Sequence, residues 1–106
     1  MKPIVFIGDS LEILRDLPKV TRQQIGFQLD KVQRGITPDN FKSLSGVGKG
    51  VYEIRIRDMS GIYRVIYIAM LKDAVHVLHV FKKKTQRIPK SDIELVKTRL
   101  ASVIER

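Results

Sequence analysis

The sequence has no cysteine among its 106 residues, which excludes a disulfide framework, thiolate catalysis and a cysteine-ligated zinc site. No apolar run approaches the ~20 residues that a membrane-spanning helix needs. The first apolar run is too short for a signal peptide and lacks a cleavage pattern. Acidic residues are also scarce, because 11 Asp and Glu against 20 Lys and Arg leave a formal net charge of +9. We therefore expect a cytoplasmic protein, without membrane association, whose partner is a polyanion.

Familiar catalytic signatures are absent as well: there is no P-loop, no GxGxxG and no GxSxG nucleophile elbow. The acidic residues are scattered and show no pairing suited to metal-assisted hydrolysis. His76 and His79 are three residues apart on a predicted strand, which sends them to opposite faces, so we expect neither a metal site nor a cofactor. Any chemistry must rely on cations, a histidine and a substrate that supplies its own nucleophile. RNA is such a substrate, because its ribose 2′-hydroxyl can attack the adjacent phosphate.

The apolar periodicity predicts one α+β domain spanning residues 1–106, with a largely antiparallel sheet packed on an N-terminal αα-hairpin and a C-terminal helix. The element order is βααβββα. The predicted elements are a strand at 4–7, two helices separated at Pro18, a surface loop at 36–50, strands at 51–58, 62–70 and 75–81 with turns at 58–61 and 71–73, and a last helix.

Local signals predict where the helices begin and end. Asp9 with Glu12 is expected to cap the first helix, and Gly35 to end the second. Ser91 with Glu94 reads as a capping box that starts the last helix. The second helix is expected to bury Val20, Ile25, Leu29 and Val32, and the last to bury Ile93, Val96, Leu100 and Val103.

The strand at 75–81 runs directly into a basic loop that contains Lys82, Lys83, Lys84, Arg87 and Lys90 and no acidic residue. On the preceding strands, Arg55 and Arg64 occupy positions from which they could reach the same place. Two readings of Arg64 stay open: a phosphate contact, or an ion pair with Glu53 across the hairpin.

His79 is expected on the same face as Val77 and Phe81, immediately before the lysines. It could be a partly buried structural residue, a general base or an orienting group. A lysine crowded by other cations is the alternative proton acceptor, since an arginine stays protonated.

Three segments resemble the phage-derived, HigB-like branch of the RelE/ParE toxin superfamily. They are LRDLPKVTRQQIGFQLDKVQRG near the N-terminus, GVYEIRIRDMSGIYRVIY at 50–67 and VLHVFKKKTQRIPKSDIELVKTRL at 77–100. The resemblance implies a βααβββα microbial-RNase-like fold and the toxin half of a type II toxin–antitoxin pair. It further implies metal-independent cleavage of mRNA on the ribosome, which inhibits translation, and a helix-turn-helix (HigA-like) antitoxin as partner.

The resemblance also implies roles for particular residues. Relatives place basic residues where Arg55, Arg64, Lys82 and Lys83 stand, which assigns these four to the scissile phosphate. Relatives that use a C-terminal tyrosine or a histidine-containing tail differ from this chain, since residues 85–106 contain neither. His79 is therefore added to the catalytic candidates. The residues expected to contact flanking RNA are Arg57, Lys84, Gln86, Arg87 and Lys90.

Two other functions fit the same sequence. One is a ParE-like toxin that inhibits DNA gyrase without catalysis, because a shared fold does not decide the activity. The other is a non-catalytic nucleic-acid-binding module, which predicts steeply salt-dependent binding without cleavage.

Overall fold

The computed structural model describes residues 1–69 and 73–104. It is an α+β fold with a five-stranded, mostly antiparallel sheet and three helices. The elements are β1 (Ile4–Phe6), α1 (Ser10–Arg15), α2 (Lys19–Gln33), β2 (Phe41–Ser43), β3 (Val51–Asp58), β4 (Gly61–Ile68), β5 (Val75–Lys82) and α3 (Lys90–Ile104). The end of the strand predicted at 62–70, Met70, and most of the predicted turn at 71–73 lie outside the described residues.

The sheet order is β1-β5-β4-β3-β2, and only the β1–β5 pair is parallel. In the β3–β4 hairpin, strand β3 has the predicted bounds, whereas β4 begins one residue before its predicted start and ends at Ile68, earlier than predicted. Gly61 opens β4 at φ +142°, a backbone conformation that a side chain would strain. This hairpin forms the centre of the sheet.

The predicted surface loop at 36–50 contains a further short strand, so the observed order is βααββββα rather than βααβββα. Strand β2 pairs with β3 at the sheet edge, where Phe41, Lys42 and Ser43 are all exposed. An exposed edge strand of three residues has no buried face and therefore no apolar alternation that could predict it.

Two apolar cores lie on opposite faces of the sheet. The first is formed beneath α2, and its members include Ile25, Leu29 and Val32 of that helix. The second is formed beneath α3 by Val51, Ile66, Ile68, Leu78, Val96, Leu100 and Val103. Burying each such side chain contributes about 1.5–3 kcal/mol, so both helices are held to the sheet chiefly by apolar packing.

Three local helix predictions need correction. Asp9 is the N-cap residue of α1, as predicted, but it makes no side-chain capping bond because its carboxylate binds Arg99 instead. Helix α3 begins at Lys90, so Ser91 lies inside its first turn rather than at the cap. Val20 is 58% exposed, because it lies in the first turn of α2 and away from the sheet. Gly35 does end α2, with φ +76°.

Strand β5 contains a bulge. Val77 of β5 pairs with Tyr67 of β4, and His79 pairs with Ile66. Two neighbouring residues of β4 therefore pair with residues of β5 that are two positions apart. Leu78 is the extra residue, and the alternation of side chains reverses at this point.

The bulge corrects two predictions about the histidines. His76 and His79 pair with Ile68 and Ile66, both in the core beneath α3, so the histidines share a face instead of lying on opposite ones. His79 likewise does not share a face with Val77, which lies in the core beneath α2. Within the described ranges, no group of three or more His, Cys, Asp or Glu residues could hold a metal ion. None of the described helices is long and apolar enough to cross a membrane.

Candidate nucleic-acid interface

The sheet face that packs against α3 carries charged side chains beyond the apolar core. Directly opposed residues share a face, and the pairs Lys42–Glu53 and Arg55–Arg64 place these four side chains on it. Lys83 continues the same face, two residues beyond Phe81, which pairs with Arg64. We call the set of Lys42, Arg55, Arg64 and Lys83, grouped around Glu53, the cationic face.

Glu53 is the centre of the cationic face and is fully buried. Its Oε2 accepts a hydrogen bond from Arg64 Nη1 at 2.8 Å, and its Oε1 accepts one from Arg55 Nε at 3.1 Å. Lys42 Nζ lies 4.0 Å from the same Oε1. One carboxylate thus faces three cations, so the cationic face keeps an excess of positive charge.

Arg64 lies beneath the surface, with 1% of its area exposed. The ion pair with Glu53 that the sequence left as one alternative is therefore present. Arg55 is more accessible, with 37% of its side chain exposed. The geometry separates a buried arginine that adds fixed charge from an exposed arginine that a ligand can reach.

Lys83 is partly buried, and its pKa lies below the ordinary lysine value. The first cause is desolvation, which disfavours the protonated amine, and the next are the positive charges of Arg64 and Arg55. Among the described residues Lys83 forms no ion pair. The surroundings of Lys83 therefore disfavour its protonated form.

Lys82, which was predicted to contact the scissile phosphate together with Lys83, lies on the other face of the sheet. It pairs with Tyr63, whose ring lies in the core beneath α2, and its Nζ is 5.9 Å from the centre of that ring. Successive strand residues point to opposite faces, so Lys82 leaves the face that Lys83 occupies. The predicted contact of Lys82 with the scissile phosphate therefore starts from the other sheet face and stays a prediction.

His79 is almost completely buried and stacks on Phe81 with ring centroids 4.9 Å apart. Its Nε2 is 2.7 Å from Asp92 Oδ1, and an ionised carboxylate accepts only, so this nitrogen donates. Its Nδ1 is buried and has no hydrogen-bond partner among the described residues. The ring is fixed by α3, which suits a structural or orienting role better than proton transfer on the cationic face.

The residues predicted to contact flanking RNA are all exposed. Arg57 follows Arg55 on β3, and the segment after β5 carries the others. Lys90 Nζ lies 4.0 Å from Oε1 of Glu94, which is one helical turn further along α3, and both side chains are exposed. The exposed residues are Arg57, Lys84, Gln86, Arg87 and Lys90.

Sequence reasoning did not find Lys42 or Asp92. Lys42 reaches Glu53 only because β2 pairs with β3, and β2 has no apolar pattern. Asp92 reaches His79 only because α3 packs on the sheet. Neither contact has a local signal in the sequence, because each depends on pairing or packing between distant elements.

The fold and this surface define a small α+β protein with one strongly basic sheet face. Comparison with protein families matches residues 12–101 to the family described as "Phage derived protein Gp49-like (DUF891)". The chain therefore belongs to this phage-derived, toxin-like family, which is one of the RelE/HigB-type toxin families. A search of curated proteins gives no match.

Proposed function

We propose that this protein is the toxin of a type II toxin–antitoxin pair and that it cleaves mRNA on the ribosome in the cytoplasm. The observation that supports this most is the cationic face, where three basic side chains face one buried carboxylate and Lys83 lies close to them. Fixed positive charge at one place stabilises a phosphate group whose negative charge increases in the transition state.

In the proposed reaction, Arg55 binds the scissile phosphate, and Arg64 beneath it adds charge that cannot move away. Lys83, as a neutral amine, takes the proton of the ribose 2′-hydroxyl. The 2′-oxygen then bonds to phosphorus, the bond to the 5′-oxygen breaks, and that oxygen takes a proton from water. A lysine with a lowered pKa suits this role, because a general base works best when its pKa is near the working pH.

The exposed residues around the cationic face would hold the RNA on either side of the reacting phosphate. In this proposal they are Arg57, Lys84, Gln86, Arg87 and Lys90. Lys82 contributes to the general field rather than to the reacting phosphate. The partner that blocks the surface would be a helix-turn-helix antitoxin.

The experiment is mRNA cleavage in a reconstituted translation reaction, with growth on expression of the toxin as a second measurement. Arg55→Gln is expected to lower the cleavage rate by about 10²–10³, the usual loss for one charge donor. Lys83→Met is expected to lower it by about 10²–10⁴, the range for a general base. Lys19→Gln is the control, since Lys19 starts α2 on the opposite side of the sheet.

Other outcomes would favour a different function or change the set of site residues. Growth arrest with blocked replication and intact mRNA would favour a gyrase inhibitor. Salt-dependent RNA binding with no cleavage would favour a binding module. Full cleavage by Arg64→Ala in a folded protein would remove Arg64 from the site.

A further inference from the structure

A cleft of about 400 Å³ opens beside the cationic face, between α1, the second half of β5 and the segment at 83–89. It exists because β1 pairs with β5 only as far as Val77, which leaves the rest of that strand edge uncovered by β1. Much of its wall is apolar and comes from three elements, with Ile13 on α1, Val80 and Phe81 on β5, and Pro89 before α3. The cleft is larger than a single nucleobase requires.

Polar groups lie at defined places around this cleft. Lys83 and Arg64 belong both to its lining and to the cationic face, and Lys84 and Arg87 complete a basic rim. Two lining side chains that are more than nine-tenths buried carry an unpaired polar atom, namely His79 Nδ1 and Arg64 Nε. Neither atom has a hydrogen-bond partner within residues 1–69 and 73–104. Unsatisfied buried polar atoms are uncommon in folded proteins.

We propose that the cleft receives one nucleobase of a single-stranded RNA whose adjoining phosphate lies on the cationic face. This inference rests on the proposed function and adds to it a base-binding site. A nucleobase has apolar faces and polar edges, which matches apolar walls with a basic rim. Because Lys83 and Arg64 line both surfaces, base and phosphate can belong to one nucleotide.

Isothermal titration calorimetry on the full chain separates the base from the phosphate. The probes are adenosine and uridine 5′-monophosphate, and ribose 5-phosphate serves as the same sugar and phosphate without a base. At least one nucleotide is expected to bind at least fivefold more tightly, the lower end of the ~5- to 150-fold that stacking of one base provides. Ile13→Trp, which fills the cleft, is expected to remove this advantage and to keep the affinity for ribose 5-phosphate. Val20→Trp, on the exposed part of α2, is expected to change neither affinity.

A second measurement does not depend on the variants. Methyl NMR signals of Ile13 and Val80 in the unaltered protein are expected to shift with the nucleotide and not with ribose 5-phosphate. Equal affinities for the two kinds of probe, or unshifted methyl signals, would overturn the base site and leave the phosphate site intact. Preferential nucleotide binding by a protein that cleaves no mRNA would instead overturn the nuclease and leave the base site. Binding of neither probe would overturn both.

Discussion

At the scale of single residues, the cationic face depends on one buried carboxylate that faces several cations. Glu53 is fully buried and binds two guanidinium groups while Lys42 lies nearby. A buried carboxylate is stabilised only when it is paired, and a buried arginine has the same requirement. Glu53 and Arg64 therefore hold each other in the sheet, and the exposed Arg55 takes its orientation from them.

We predict that Glu53→Gln strongly destabilises the protein. The change removes the only ionised partner of Arg64 within the described residues, and breaking a buried ion pair typically costs about 3–5 kcal/mol in free energy of unfolding. Chemical denaturation measures this loss. Glu94→Gln is the control, since Glu94 is 67% exposed and its pair with Lys90 is worth about 0.5 kcal/mol or less. A loss below 1 kcal/mol for Glu53→Gln would show that Arg64 does not need this carboxylate.

A second residue-scale prediction concerns the pH dependence of cleavage. Lys83 must be neutral to accept a proton, so the rate should rise with pH until the pKa of Lys83 is passed. Desolvation first, and then the neighbouring cations Arg64 and Arg55, disfavour the protonated amine and lower that pKa. Arg55→Gln removes one of these charges, so the pKa of Lys83 should rise and the rate increase should move to higher pH.

The measurement is the pH profile of single-turnover cleavage by each variant. Arg57→Gln is the matched control, because it removes a charge from the same strand and Arg57 is not among the charges that shift Lys83. A profile that only falls in height after Arg55→Gln, without moving, would exclude Lys83 as the proton acceptor.

At the scale of elements, β5 organises the candidate site. Its bulge turns His79 toward α3 and sets the register in which Phe81 and Lys83 follow. Leu78 at the bulge has no partner in the β4 register, and its carbonyl oxygen accepts a hydrogen bond from Arg99 Nη1 at 2.8 Å. Arg99 also donates to Asp9 Oδ1 at 2.6 Å, so one side chain of α3 connects the bulge to the start of α1.

We predict that Arg99→Met destabilises the protein by about 1.5–3 kcal/mol, the contribution of hydrogen bonds to charged groups. The substitution leaves the Leu78 carbonyl without its donor and the Asp9 carboxylate without its partner. Thermal or chemical unfolding measures the effect. Lys97→Met, an exposed position on the same helix, should stay within about 0.5 kcal/mol of the unaltered protein. Similar losses for the two variants would mean that the bulge is stable by itself.

At the scale of the whole molecule, the two sheet faces differ in how far a helix covers them. Helix α2 covers one face with an apolar core, whereas α3 covers only part of the other. The uncovered part carries the cationic face, and the chain as a whole has a net charge of +9. The field therefore favours approach of a polyanion from one side.

The expected consequence is salt-dependent binding of single-stranded RNA. Each phosphate contact adds about −0.7 to the slope of log affinity against log salt concentration. Lys84→Gln, beside the cationic face, should make the slope less steep by about 0.7. Lys19→Gln, at the start of α2, should leave it unchanged, and fluorescence titration with a short labelled RNA measures both. Equal changes in slope would show that net charge, rather than its placement, controls binding.

Much of the fold follows from local patterns. The alternation from Val51 to Ile68 and the turn between its halves predicted the central hairpin, since period-two patterning and turn chemistry act over a few residues. The observed pairing places Arg55 and Arg64 on one face, and the ion pair of Arg64 with Glu53, which the sequence left as one alternative, is present. The last helix was predicted by its apolar spacing, although its first residue was not.

The sequence alone therefore determined the α+β class, the hairpin, the two helices that bury apolar faces and the excess of positive charge in the basic segment. Only the tertiary structure decided that β5 bulges at Leu78, that Lys82 and Lys83 separate and that Lys42 joins Glu53. The physical reason is the range of the interactions involved. Periodicity and turns are set by neighbours in the chain, whereas register, bulges and the sharing of one buried charge depend on pairing between distant strands.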